Sequence, residues 1–267
     1  MLEVRHLTKV YNDGTVALKD VNFTVLDGAF LVIIGLSGSG KSTLLRCINR
    51  LIDPTEGEIL WDGVDLAQLK GDELRKARRQ IGMVFQQFNL VKRSKVITNV
   101  LAGRLGYAPT WLSALGRFSD EDLDLARQAM ARLGITPQAQ KRADELSGGQ
   151  QQRVGIARAL MQEPKMILAD EPVASLDPVL AHSILMHLER LNQEDHITIL
   201  CSLHYLDLVQ RYASQVIGLR EGNLVYQGTR EDIRRMTDEQ FKEIYGQEAE
   251  RAGGLSGEIV QASGGAQ

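Results

Sequence analysis

The sequence predicts an α/β fold, a largely parallel sheet with an antiparallel β portion before it and a block of helices inserted into it. Three observations predict this. Phe30-Leu31-Val32-Ile33-Ile34 is an unbroken apolar run, the pattern of a strand covered on both faces. A Gly/Ser loop and an amphipathic helix follow it directly, and strand-like runs return at 166–169 and 197–201 with a helix between them. Of the 267 residues, 43% are hydrophobic and 24% charged, enough for a packed core and unlike disordered, collagen-like or disulfide-stapled chains.

The elements follow in order. Leu2 and Val4 alternate, as do Val21, Phe23 and Val25, with Asn12-Asp13-Gly14 as the turn between them. After the 30–34 run, Leu44, Leu45, Ile48, Leu51 and Ile52 form one stripe of a helix expected over 42–52. A strand over 58–61 ends at Asp62-Gly63, and residues 81–85 form another apolar run. The helical insert is expected over about 87–162. In it, Ser119 caps a helix with Leu123, Ala126, Met130 and Leu133 on one face and Gly134 as its stop. A second helix opens at Ser147-Gly148-Gly149 and runs through Val154, Ala157 and Leu160 to a break at Pro164. Asp177 caps and Pro178 opens a third helix, with Ile184, Leu188 and Leu191 inward. Residues 216–226 fold as a hairpin about Glu221-Gly222-Asn223, and Thr229 and Thr237 each start a short helix. Residues 1–246 thus read as one domain and 247–267, rich in Gly, Ser and Ala, as a flexible tail.

Composition narrows the function. No apolar run approaches the ~20 residues of a membrane span, and Met1-Leu2-Glu3-Val4-Arg5 lacks the apolar core of an export signal, so a cytoplasmic chain is expected. Thirty-one Lys+Arg against thirty-four Asp+Glu give a net charge of -3, which argues against a nucleic-acid partner held by a general positive field. Cys47 and Cys201 form no paired motif and read as small buried apolar residues.

Gly35-Leu36-Ser37-Gly38-Ser39-Gly40-Lys41-Ser42 matches the phosphate-loop pattern between a strand and a helix, with Thr43 next in line. Its glycines let backbone N–H groups turn inward around phosphate oxygens, and the helix directs its positive end at the same anion. Lys41 is expected to reach the β- and γ-phosphates and Ser42 to ligate Mg²⁺. The fold class is therefore a P-loop NTPase (RecA-like) core with an N-terminal antiparallel β portion and an inserted α-helical subdomain. Asp170-Glu171 ends the 166–169 run, and two adjacent acids there divide the work. Asp170 is expected in the Mg²⁺ shell, and Glu171 as the acceptor of a proton from the attacking water. Ser147-Gly148-Gly149-Gln150 joins two glycines to a serine N-cap, leaving amide donors at a dipole end that suits an anion.

With these three motifs in this order, residues 2 to 245 resemble the nucleotide-binding subunit of an ABC transporter. The resemblance implies ATP as ligand and a head-to-tail homodimer. Each ATP would lie between Gly35–Thr43 of one copy and Ser147–Gln150 of the other. It also implies that Gln86, or less readily Gln87, contacts Mg²⁺ or water, that His204 contacts the γ-phosphate, and that Tyr11 stacks on adenine. Ala174-Ser175-Leu176-Asp177 lies where the family has a cross-dimer loop, with Ala-Ser in place of the commoner Ser-Ala. Within the family, residues 88–94, 101–107, 172–178 and 203–208 resemble the ATP-binding subunit of a bacterial phosphonate importer. That implies two transmembrane permease subunits, an indirect link to a periplasmic phosphonate-binding protein, and a peripheral place on the cytoplasmic face of the inner membrane.

The insert, including Tyr107, Trp111, Leu112, Leu115 and Phe118, is expected either to receive a permease helix or to form its own core. Arg75, Lys76, Arg78 and Arg79, with Lys92, Arg93 and Lys95, would favour anionic headgroups if near them. The rivals are an ABC ATPase without a membrane partner, an importer ATPase for another solute, and a small-molecule kinase in which Ser147–Gln150 only caps a helix.

Overall fold

The computed structural model describes residues 1–107 and 118–246. Two sheets form it. The first, ordered β2-β1-β4-β5, is antiparallel and is built from β1 (Leu2–Val10), β2 (Val16–Val25), β4 (Glu56–Trp61) and β5 (Val64–Asp65). The second has six strands ordered β10-β9-β3-β8-β7-β6, from β3 (Phe30–Ile34), β6 (Ile81–Val84), β7 (Met166–Ala169), β8 (Thr198–Ser202), β9 (Gln215–Arg220) and β10 (Asn223–Thr229). Its strands pair in parallel except β10, which returns antiparallel from β9 through Glu221 and Gly222, both left-handed. The helices are α1 (Lys41–Ile48), α2 (Gly71–Arg79), α3 (Val96–Leu101), α4 (Asp120–Arg132), α5 (Gly148–Leu160), α6 (Pro178–Asp195), α7 (Leu206–Tyr212), α8 (Arg230–Arg234) and α9 (Asp238–Tyr245).

The continuous apolar runs are explained by what covers each face of the large sheet. Alternate strand residues enter two different cores. Phe30, Val32, Ile34, Ile167, Ala169, Ile199 and Cys201 pack with the helices of the insert and with α6. Leu31, Ile33, Leu168 and Leu200 pack with α1 and the antiparallel sheet. Both faces are dry, so strands β3, β6 and β7 carry no polar side chain. Cys47 and Cys201 are fully buried, as expected, and burial pushes the Cys47 thiol up to about 11.

Several boundaries differ from the sequence reading. α1 stops at Ile48, because Arg50 turns left-handed at φ 52°; Leu51 is then exposed and Ile52 packs from outside the helix. α2 was not expected: none of its residues is fully buried, and its inward face has only Leu74 and Ala77 as apolar side chains, too few for a periodic signal. α3 and α7, at six and seven residues, are too short for a periodic signal. Trp111, Leu112, Leu115 and the tail 247–267 lie outside the described residues. Of the remaining insert aromatics, Phe118 packs on the core. Tyr107 is partly exposed, between the guanidinium groups of Arg79 and Arg104.

Candidate functional site

Parallel pairing brings the carboxyl ends of four strands to one edge. Val84 lies opposite Ala169, Ala169 opposite Cys201, and Ile33 opposite Ser202. The residues that follow are the phosphate loop after β3, Gln86 after β6, Asp170-Glu171 after β7 and His204 after β8. This is the edge where open α/β sheets bind ligands.

The phosphate loop is shaped by its glycines. Gly35 (φ 141°) and Gly40 (φ 106°) occupy backbone conformations closed to other residues, and a Cβ would sit 2.2 Å from the Leu219 carbonyl oxygen and 2.5 Å from that of Ala17. The loop wraps Lys41, whose side chain is 3% exposed and whose Nζ donates to the Gly35 and Leu36 carbonyls at 2.8 Å each. The nearest carboxylate, Glu171, is 3.9 Å away. Burial pushes the ammonium below its ordinary pKa, against the pull of Glu171 and Asp170. A buried cation held mainly by neutral carbonyls favours an anionic ligand.

Across the loop, the Ser42 hydroxyl donates to Asp170 Oδ1 at 2.6 Å, and Arg46 Nη2 donates to Asp170 Oδ2 at 3.2 Å. Ser42 and Arg46 are one helical turn apart on α1, so both face the same carboxylate. The Ser42 hydroxyl and the Asp170 carboxylate are hard oxygen donors that fit Mg²⁺, and Gln86 follows two residues past β6 on the same sheet edge. Glu171 sits left-handed at φ 47°, its N–H donating to the Ser202 hydroxyl at 2.7 Å. Its carboxylate meets His204 Nε2 at 2.6 Å, and that hydrogen bond holds the carboxyl below its ordinary range in spite of burial. A depressed pKa keeps Glu171 ionised, as a proton acceptor has to be.

The remaining sequence candidates lie around this group. The Tyr11 hydroxyl is 3.2 Å from Thr43 Oγ1, and the Lys9 ammonium stands 5.4 Å from its ring. Ser147 caps α5, accepting from the Gln150 N–H at 3.4 Å, while Gln150 Oε1 accepts from the Ser147 N–H at 3.1 Å. This closed capping box was not foreseen; it uses the Gln150 side chain within the helix start and leaves the Gly148 and Gly149 amides as the donors for an anion. Among the described residues, Ser147–Gln150 makes no hydrogen bond to the phosphate loop, Asp170 or Glu171; Gly148 and Gly149 pack instead near Leu176 and Leu180. Gln86 lines a cavity of about 620 Å³ shared with Phe88, Lys92, Gln151 and Ser175. Arg46 and Ser202 escaped the sequence reading. Arg46 is the i+4 neighbour of Ser42, but the Asp170 it meets is 124 residues away; Ser202 acts through β8–β7 pairing, which no local pattern reveals.

A family pattern described as ABC transporter matches residues 18–174, more than half of the chain. The chain belongs to the ABC transporter family. Among its ABC transporter relatives is the phosphonates import ATP-binding protein PhnC of Staphylococcus saprophyticus, 55% identical over 245 residues, covering 92% of this chain and 94% of that one. The protein of the same name from Bacillus thuringiensis is 53% identical over 252 residues, covering 94% and 97%. A solved dimeric bacterial ABC transporter cassette superposes with a TM-score of 0.77 at 37% identity, over 86% of this chain and 98% of that one. A dimeric ATP-binding cassette in a post-hydrolysis state with ADP and Pi superposes with a TM-score of 0.76 at 36% identity, over 86% and 98%. The P-loop NTPase fold expected from the sequence is therefore that of the ABC transporter cassettes. Among the described residues, no helix is long and apolar enough to cross a membrane.

In this ABC transporter chain, the Glu171–His204 contact makes stability depend on pH. The folded pKa of Glu171 lies below its ordinary value of about 4.5, so the contact stabilises the fold above that pH and the gain is lost as pH falls through the folded value. The gap in urea midpoint between wild type and His204→Ala is expected to hold from about pH 7 to about pH 5 and to close below about 4.5. A gap of equal size at about pH 3 would dissociate it from Glu171 ionisation.

Proposed function

We propose that this chain is the ATP-binding and ATP-hydrolysing subunit of an importer for phosphonates, working as a pair of copies beneath two membrane subunits. The observation that carries the ATPase reading is Lys41. It is a buried ammonium held by its own loop's carbonyls, at the edge where an ionised Glu171 and the Ser42–Asp170 pair also converge.

In this reading, the phosphate-loop amides and Lys41 bind the β- and γ-phosphates and Tyr11 supports the adenine. Ser42, Asp170 and Gln86 hold Mg²⁺, which supplies charge neutralisation of the triphosphate when bound. Glu171 orients a water in line with the γ-phosphorus and accepts its proton as the new P–O bond forms. The bond to the β,γ-bridging oxygen breaks, and ADP and inorganic phosphate result. His204, hydrogen-bonded to Glu171 Oε1, holds that carboxylate toward the γ-phosphate position. Ser147 and the Gly148 and Gly149 amides of the second copy close the cage from the other side, so that nucleotide binding is coupled to closure of the dimer.

The phosphonate reading rests on relatives of that name at more than half identity over nearly the whole chain. It carries with it the permease pair, an indirect link to a periplasmic phosphonate-binding protein, and a peripheral position at the cytoplasmic face of the membrane. The test is reconstitution of the chain with a phosphonate permease in liposomes. A periplasmic binding protein loaded with 2-aminoethylphosphonate is expected to raise phosphate release several-fold, and the unloaded protein to leave it near the basal rate. Failure of the chain to co-purify with the permease from detergent would remove the transport role. ADP formation only in the presence of an acceptor alcohol, with the phosphoryl group carried onto that alcohol and little free phosphate released, would make it a kinase.

A further inference from the structure

The loop that carries Gln86 leaves β6 through a backbone that side-chain-bearing residues avoid. Phe88 and Asn89 are both left-handed, at φ 56° and 49°. The Asn89 N–H donates to the Gln87 carbonyl at 2.5 Å, closing a three-residue γ-turn of the positive-φ sense, the strained one of the two kinds. Asparagine tolerates such a conformation and phenylalanine does not, so something outside the turn has to hold it.

That group is Arg158, in the last turn of α5. Its Nη2 donates to the Phe88 carbonyl at 2.9 Å and its Nη1 to the Asn89 carbonyl at 2.6 Å. Among the described residues no carboxylate pairs with this guanidinium, which gives up most of its water to grip two main-chain oxygens. At the opposite end of the same helix, a Cβ on Gly148 would come 3.8 Å from the tip of the Phe88 ring. The Phe88 ring tip thus lies near the Ser147 end of α5, where a side chain at Gly148 would meet it, and the Phe88 carbonyl is gripped by Arg158 of the same helix.

We propose that Arg158 is a positioning residue: it holds the strained 87–89 turn, and with it Gln86, in register with α5. This rests on the function proposed above, in which the N-terminus of α5 meets the nucleotide of the second copy. Movement of that helix then reaches Gln86 through the two hydrogen bonds from Arg158. The planar fork of arginine suits this task, because it serves two adjacent carbonyls at once, which a lysine ammonium on a flexible stem cannot do with the same geometry.

The test compares Arg158→Lys and Arg158→Met with wild type in the full-length chain. In both variants kcat for ATP hydrolysis is expected to fall about tenfold while KM for ATP stays within about twofold, because the phosphate loop is untouched and only the placement of Gln86 is lost. Hydrogen exchange without nucleotide is expected to speed up at the Asn89 amide by about tenfold, with the amides of α5 unchanged. Unchanged kcat and unchanged Asn89 exchange in both variants would overturn the proposal. So would a loss of kcat accompanied by faster exchange all along α5, the mark of a merely structural role. A wild-type chain that hydrolyses no ATP would instead sink the proposed function, and the exchange measurement would still judge the turn.

Discussion

Glu171→Gln is expected to lower steady-state phosphate release by about 10²- to 10⁴-fold while leaving ATP affinity within about threefold of wild type. Glutamine matches the carboxylate in shape. It keeps the backbone N–H bond to Ser202 and can still accept from His204 through its amide oxygen. What it cannot do is take the proton of the attacking water. With chemistry blocked and binding intact, Mg²⁺ and ATP should hold two copies together, so light scattering on a sizing column is expected to report a dimer for this variant in Mg-ATP and a monomer after the nucleotide is removed. Turnover near wild type would remove Glu171 as the base. A monomer that binds ATP with full occupancy and never pairs would overturn the shared-site arrangement.

Lys41→Met separates the fold's need for this residue from the ligand's. Methionine keeps most of the buried stem and discards the ammonium, which donates to two neutral carbonyls and is disfavoured by its burial. Losing a desolvated cation and losing its two hydrogen bonds offset one another, so the urea midpoint is expected to move by the equivalent of about 1 kcal/mol or less. Nucleotide binding has no such offset, because a triphosphate would lose its one buried charge partner in the loop. An affinity loss of at least about 30-fold is expected from fluorescent-nucleotide titration, the equivalent of about 2 kcal/mol or more for a buried charge contact. Full affinity in a folded Lys41→Met chain would place the phosphates elsewhere.

Much of the fold could be read before the structure was seen, for a physical reason. Strands buried on both faces write themselves as unbroken apolar runs, and capped helices as Ser, Thr or Asp before a periodic stripe; Ser119, Ser147, Asp177, Thr229 and Thr237 all cap as expected. α2 was illegible because Leu74 and Ala77 alone are too few apolar residues to write a stripe. In the site, the phosphate loop and Asp170-Glu171 were legible because their chemistry is local, a few residues on one strand end. The Ser202 hydroxyl under the Glu171 amide, the Arg46 contact to Asp170 and the Arg158 grip on residues 88 and 89 depend on segments far apart in the chain, and only the packing of α1, α5 and the sheet brings them together.

The alternation of the six-stranded sheet between two cores has a consequence for how the chain can change. Neighbouring positions on β3, such as Leu31 and Val32, answer to different surroundings, one to α1 and the antiparallel sheet and the other to the helices of the insert. A substitution that swells or shrinks one compartment is insulated from the other by a layer of hydrogen-bonded backbone. Sequence drift in the compartment shared with the insert helices can then proceed without retuning the compartment around α1, the helix that follows the phosphate loop.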